Sequence, residues 1–565
     1  MSQTSFMTGT VVTDHTPNIA AHLAQTARAQ PDHPAIVWRT GRDGDTGIYT
    51  HVTFSKLNGE VDRYARGLEA AGIVRGARTV LMVPPRIEFF VLTFALLKIG
   101  AVPVMIDPGM GRRNVVDCLR DIEPEAFIGV PFAHVLRVLH RRAFRSVRVA
   151  VTVGRRWFWS GLRLADVRSP SSEPYETAAT DADDPAAILF TSGSTGPAKG
   201  VLYRHGMFAA QVRILRDHFC IRPGEIDLPT FPLFALFDPA LGMTAVLPEM
   251  DPTRPAQVDP EKIIGAILDQ QVTHMFGSPA LLDRVGRYGA SHGVKLPTLR
   301  RVLSAGAPVS PVVIERFRSM LDDSAAIHTP YGATEALPVA SIESREILGE
   351  TRRQSDRGCG TCVGRLVPAA TVRVIRTTDE PIDAWSDALI LPPGEIGEIA
   401  IRGPMVTREY YAKPDATRLA KIPDGDALWH RMGDVGRFDD AGRLWFCGRK
   451  AHRVETPSAT LFTVPCESVF NQHPRVYRSA LVGVGSRPRQ RPVICIELEP
   501  GTQQVDTERL KHELLDLARA NPLTKNIDTI LFHASFPVDV RHNAKIDREK
   551  LARWAAGKLR ATNDR

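Results

Sequence analysis

A chain of 565 residues, 43% hydrophobic and 24% charged, is too long for a disulfide-stapled miniprotein and too apolar for a disordered one. At roughly 100–200 residues per domain it holds several domains, or one large domain with a satellite. Its net charge of +8, from 71 Lys and Arg against 63 Asp and Glu, is a modest excess that does not by itself define a nucleic-acid binder.

Seven cysteines, an odd number scattered through a long chain, do not read as a secretory disulfide framework and predict a reducing, cytoplasmic setting. The N-terminus lacks a basic start followed by a continuous apolar run and a small-residue cleavage site, so no signal peptide is expected. Leu57, Val61, Tyr64, Leu68 and Ala71 recur at helical period and predict a helix over 55–71. A buried strand over 79–83, a helix over 88–99 and a strand over 102–106 follow, ending at Asp107-Pro108-Gly109. The apolar stretch from Phe89 is broken by Lys98, Gly100 and Pro103, far short of the roughly 20 residues that span a bilayer. This alternation predicts a largely parallel sheet covered by helices on both faces.

Between 137 and 168, Arg137, Arg141, Arg142, Arg145, Arg148, Arg155, Arg156, Arg163 and Arg168 surround Trp157, Phe158 and Trp159, with Asp166 as the only acid. Such a run is either a solvated face or a surface for an anionic lipid or an acidic partner. A Ser/Pro/Ala/Asp-rich loop over 170–185 leads into a strand at 187–190. More strands are expected at 272–276, 301–305 and 326–328. Beyond Gly394 the pattern turns to short alternating strands, as at 397–402 and 442–446. Cys359 and Cys362 have CxxC spacing but no second ligand pair, and Gly358, Gly360 and Gly364 around them suggest a turn, so structural cysteines are expected. From Arg449 onward, 20 Lys and Arg against 13 Asp and Glu make a compact basic α+β segment of net +7, with a helix over 508–520.

Immediately after the strand at 187–190 come Thr191, Ser192, Gly193, Ser194, Thr195, Gly196, Pro197, Ala198, Lys199 and Gly200. Glycines admit an anion close to the backbone, hydroxyls and amides donate to phosphate oxygens, and the lysine neutralises charge. This predicts a triphosphate cradle, though not a Walker A loop, since Lys199 follows Ala198 and precedes Gly200.

At these ten residues the chain resembles the adenylate-forming superfamily of acyl-CoA synthetases, luciferases and peptide-synthetase adenylation domains. Further motifs recur in that family's order across essentially the whole chain. In Tyr331-Gly332-Ala333-Thr334-Glu335 the resemblance implies that the ring stacks on adenine, Thr334 meets the α-phosphate and Glu335 ligates magnesium. It implies likewise that Asp434, after Gly433, binds both ribose hydroxyls and that Arg449, after Gly448, opens a hinge and reaches the ribose. The loop Ser304-Ala305-Gly306-Ala307-Pro308 would line the adenine pocket, and Lys545 would bridge substrate carboxylate and α-phosphate. ATP and Mg2+ are the implied cofactors.

The expected fold is α/β. A large N-terminal domain, 1–448, would carry mixed, largely parallel sheets layered with helices plus a small β-rich subdomain. A small mobile α+β domain, 449–565, would carry the catalytic lysine.

Two departures narrow the resemblance. Ala235 stands where coenzyme A users carry a histidine after Pro232-Leu233-Phe234, and Ala451 stands two residues past the hinge arginine where Asp or Lys is usual. The segments 228–242, 331–344 and 536–545 are similar to the β-lactone synthetases of bacterial long-chain olefin biosynthesis. That branch implies activation of a 2-alkyl-3-hydroxy fatty acid as its adenylate, followed by attack of its own β-hydroxyl to close a cis or trans β-lactone. The alternative is a long-chain fatty acyl-CoA ligase. His542 is a candidate proton acceptor, with a structural or phosphate-side role as the alternative, and Asp238 is a candidate for orienting the hydroxyl. Phe231, Phe234 and Phe237 either line an acyl tunnel or are plain core, the commoner place for aromatic residues at such spacing. Other enzymes of the olefin pathway and a peripheral membrane surface are the expected partners, and nucleic acid is not.

Overall fold

The computed structural model describes residues 18–43, 46–191, 198–499, 506–538 and 546–563. Two sheets organise the large N-terminal part. The first has seven strands in the order Leu162–Arg163, Val149–Thr152, Ala126–Gly129, Arg78–Met82, Val102–Ile106, Pro185–Thr191 and Lys199–Arg204. All neighbours run parallel except the last pair, whose antiparallel register sets Thr191 opposite Lys199. The glycine-rich segment expected to cradle phosphate therefore connects two paired strands, whose facing ends Thr191 and Lys199 are fixed by the sheet.

The second sheet has 14 strands. Thr244–Leu247, Ile226–Pro229, His274–Phe276, Arg301–Leu303 and Ala326–Ala333 form its parallel middle. It turns antiparallel at Ala336–Glu343 and continues through Thr361–Leu366, Leu444–Arg449, Ala427–Phe438, Gly397–Arg402 and Thr371–Ile375. The strand expected at 326–328 runs on to Ala333 because the neighbouring strand Ala336–Glu343 supplies hydrogen-bond partners that no local pattern reveals.

The helix Ile87–Ile99 is apolar all round and buries 11 of its 13 residues, so it fills the core beside Phe54–Ala70. Lys98, the charge within it, is 1% exposed and donates to Asp62 and, at 2.9 Å, to Asn58. An ammonium at that depth is tolerated because carboxylate and amide oxygens replace its water.

After Arg449 the chain builds a separate three-stranded sheet, Val476–Val484, Arg491–Leu498 and Ile530–Phe532, packed by Thr463–Phe470, Thr507–Ala520 and Arg548–Asn563. Its two hydrophobic clusters draw only on residues from Val454 onward. It meets the large part at Gly358, where a φ of 89° and the close approach of Leu523 and the Pro465 carbonyl leave no room for a Cβ. Cys359 and Cys362 are both free thiols, but the expected turn is instead the end of a helical segment, Ser355–Cys359, running into the strand Thr361–Leu366, where Cys362 pairs with Trp445 and is buried with its thiol pushed up to about 12. Among the described residues no three His, Cys, Asp or Glu side chains gather as a metal site, and no helix is long and apolar enough to cross a membrane.

Candidate active site

Thr334 and Glu335 form the tight connection between Ala326–Ala333 and Ala336–Glu343, and Tyr331 lies near the end of the first strand, paired with Ala340. Gly332 is required there, because a Cβ would sit 2.7 Å from the Ala336 carbonyl oxygen. The connection is clamped by a strand of the first sheet and by the loop that follows Gly397–Arg402. Tyr203 on Lys199–Arg204 donates its hydroxyl to the Thr334 carbonyl at 2.6 Å. The Glu335 carbonyl accepts from the Thr407 amide at 2.8 Å and its hydroxyl at 3.1 Å.

Tyr410 donates its hydroxyl to Glu335 Oε1 at 2.7 Å, and Lys199 Nζ stands 4.9 Å from the centre of the same ring. One aromatic side chain thus ties Lys199, expected to meet phosphate, to the glutamate expected to face the metal. Lys421, 6% exposed, donates to the Thr407 carbonyl and, at 3.1 Å, to its hydroxyl. Burial pushes its ammonium down to about 7, against the opposing pull of Glu335.

The pair expected to meet the ribose is built by strand register, since Asp434 lies directly opposite Arg449. Arg449 Nη1 donates to Asp434 Oδ1 at 2.9 Å, and the Tyr331 hydroxyl donates to Oδ2 at 2.7 Å. Burial raises the Asp434 carboxyl above the ordinary carboxylate range, with Arg449 and Tyr331 pulling the other way. Ala305 and Gly306 line the same cavity, as does Ser304, whose hydroxyl is buried without a hydrogen-bond partner among the described residues. Gly448, with φ 129°, faces Thr463 Oγ1 so closely that a side chain would collide with it.

Thr191 is fixed through its strand pairing with Lys199. Ser192, Gly193, Ser194, Thr195, Gly196, His542 and Lys545 lie outside the described residues. The structure brings together Lys199, Thr334, Glu335, Tyr331, Asp434, Arg449, Ala305 and Gly306 around one cavity of about 3300 Å³. Mg2+ is compatible with this donor set. It keeps several waters and binds through one or two carboxylates plus phosphate oxygens, and Glu335 offers one half-buried carboxylate that shares Tyr410 with Lys199.

The cavity extends into an aromatic arm. Phe231 and Phe234 meet edge to face at 5.2 Å, Phe234 meets Phe276 at 4.5 Å, and Phe237 packs near Phe208 at 5.9 Å. Ala235 is fully buried beside them. The same cavity wall holds a polar group: Asp227 Oδ1 is 2.8 Å from His274 Nδ1, and Asp238 packs against Asp227. Burial, with the neighbouring Asp227, raises the Asp238 carboxyl well above the usual range. Asp238 Oδ2 and His274 Nε2 have no hydrogen-bond partner among the described residues.

Sequence reasoning missed Tyr203, Thr407, Tyr410, Lys421, Asp227 and His274 as members of this surround. None carries a local motif. Asp227 and His274 are 47 positions apart and meet only because their strands are neighbours in the parallel sheet.

The chain belongs to the AMP-binding enzyme family, whose model matches residues 23–411, and it is an ATP-dependent, ligase-type enzyme. It is 50% identical over 548 residues to the olefin beta-lactone synthetase of Xanthomonas campestris pv. campestris, covering 95% of this chain and 97% of that protein. It is also 50% identical over 551 residues to the olefin beta-lactone synthetase of Stenotrophomonas maltophilia, covering 96% of this chain and 98% of that protein. The structure of the amide bond synthetase from Marinactinospora thermotolerans superposes with a TM-score of 0.77 at 23% identity, over 95% of this chain and 99% of that one, a likeness of fold.

Proposed function

We propose that this enzyme is a β-lactone synthetase that adenylates a 2-alkyl-3-hydroxy fatty acid and closes the ring with the acid's own hydroxyl. The reading is carried by one cavity that joins the nucleotide cluster to an aromatic arm, in a chain half identical to two olefin beta-lactone synthetases.

A carboxylate is a poor electrophile, so its oxygen attacks the α-phosphorus of ATP and pyrophosphate leaves, giving an acyl-AMP mixed anhydride. Both reactants are anions, and the fixed cations around the cavity offset their repulsion. Lys199 neutralises phosphate, Asp434 and Arg449 hold the ribose, Tyr331 backs the adenine, and Thr334 donates toward the α-phosphate. Lys545 bridges carboxylate and phosphate. Glu335 would hold magnesium, which would supply charge neutralisation on the phosphates. The β-hydroxyl then attacks the acyl carbon, its proton passes to a base for which His542 is the candidate, and AMP departs with the bond electrons. Because the nucleophile is part of the substrate, positioning replaces a second binding event.

The segment 449–565 acts as the cap that brings Lys545 to the large domain, 1–448, with Gly448 at the boundary. Incubation with ATP, magnesium and a racemic 2-alkyl-3-hydroxy acid tests the reading. Lactone and AMP without coenzyme A support it, and a thioester formed only with coenzyme A overturns it in favour of an acyl-CoA ligase.

A further inference from the structure

The basic aromatic segment plays no part in the site, yet it adjoins the cavity. Phe132, Leu136 and Leu139 recur at i, i+4 and i+7 on the helix Pro131–Leu139 and all line the cavity. Phe132 is nevertheless 82% exposed and Leu139 66%, so this face lies at an opening to solvent. Beside it the loop 155–161 exposes Trp157 and Phe158. The loop is held in place: Trp159 is buried, stacks on His134 at 5.2 Å and donates its indole N–H to Thr152 at 2.9 Å. Arg137 ties helix to loop through the Ser160 carbonyl at 3.3 Å.

Five of the twelve large hydrophobic side chains exposed among the described residues fall between 132 and 162. Around them, Arg145 pairs with Glu123 and Arg163 with Asp166, whereas Arg141, Arg142 and Arg155 are exposed with no acidic partner among the described residues. Exposed aromatic rings beside unpaired guanidinium groups match the two layers of an anionic bilayer surface, acyl chains below and phosphate headgroups above.

We propose that the rim formed by the helix Pro131–Leu139 and the loop 155–161 docks on an anionic lipid surface and admits the acyl substrate from it into the cavity. This deepens the reading above, resting on a long-chain acid as substrate, since such an acid partitions into lipid.

The test is sedimentation with vesicles of phosphatidylcholine alone or mixed with phosphatidylglycerol, in the absence of ATP and acid, so that its outcome is independent of the lactone assay. The intact protein is expected to sediment with the mixed vesicles and to be released by high salt. Replacing Arg141, Arg142 and Arg155 together by alanine is expected to weaken binding on the order of 100-fold. Trp157→Ala with Phe158→Ala is expected to weaken it as well, with thermal midpoints unchanged in both variants. With a short-chain soluble acid both variants are expected to turn over normally, and with vesicle-borne long-chain acid slowly. No sedimentation, equal binding to neutral vesicles, binding unaffected by either variant, or capture by a purified protein partner without vesicle binding would each overturn the proposal.

Discussion

Lys421 gives the site a pH dependence that can be worked from its surroundings. Burial takes its ammonium from 10.5 in the unfolded chain down to about 7 in the folded one. Between those values the unfolded state holds a proton that the folded state lacks, so stability rises with pH there and is lost as pH falls through the same window. At about 1.36 kcal/mol per pH unit the full span corresponds to about 5 kcal/mol, and the part between about pH 7 and 9 to about 2 kcal/mol. Lys421→Met keeps most of the volume and removes the titration. It also leaves Thr407 without a donor, a cost common to both pH values that cancels in the comparison. Guanidinium unfolding at about pH 7 and pH 9, read at the first transition, should show the intact protein gaining about 2 kcal/mol more than the variant over that interval. An equal gain in both would refute the burial argument.

Three further substitutions probe the nucleotide cluster. Asp434→Asn removes the charge that faces Arg449 and Tyr331 and should weaken ATP binding about 10- to 100-fold by calorimetry, the worth of a charge-assisted hydrogen bond; unchanged affinity would contradict the ribose assignment. Tyr410→Phe frees Glu335 Oε1 and should raise the magnesium concentration for half-maximal pyrophosphate release while leaving ATP affinity unchanged. Gly448→Ala introduces a side chain against Thr463 at a positive φ and should cost about 1–3 kcal/mol at the boundary, seen as faster limited proteolysis between 448 and 463.

The large architecture was legible in the sequence because its signals are local. The strand Val102–Ile106 and the strand Gly397–Arg402 fall where alternation and β-branched runs predict them, and the helix at 54–70 is displaced from its predicted span by one residue. Thr334, Glu335, Asp434 and Arg449, proposed to bind nucleotide, stood out because they sit in short glycine-containing stretches whose chemistry is readable one motif at a time. What was not legible depends on contacts between distant strands. Tyr410 reaches Glu335 from 75 residues away, Tyr203 reaches Thr334 from 131 away, and the lowered basicity of Lys421 follows from burial that no neighbouring residue announces. Phe231, Phe234 and Phe237, candidates for an acyl tunnel or for plain core, lie on the cavity wall and also pack against the core, and Asp238 lies on the same wall beside Asp227 and His274.

The central claim is that the acid's carboxylate is charged with AMP and its own hydroxyl then expels the nucleotide. Mass spectrometry of products from substrate carrying heavy oxygen in the carboxylate, and separately in the hydroxyl, tests it most directly. The account predicts AMP bearing one carboxylate oxygen and a lactone whose ring oxygen comes from the hydroxyl. Unlabelled AMP, or a ring that has lost the hydroxyl label, would contradict it.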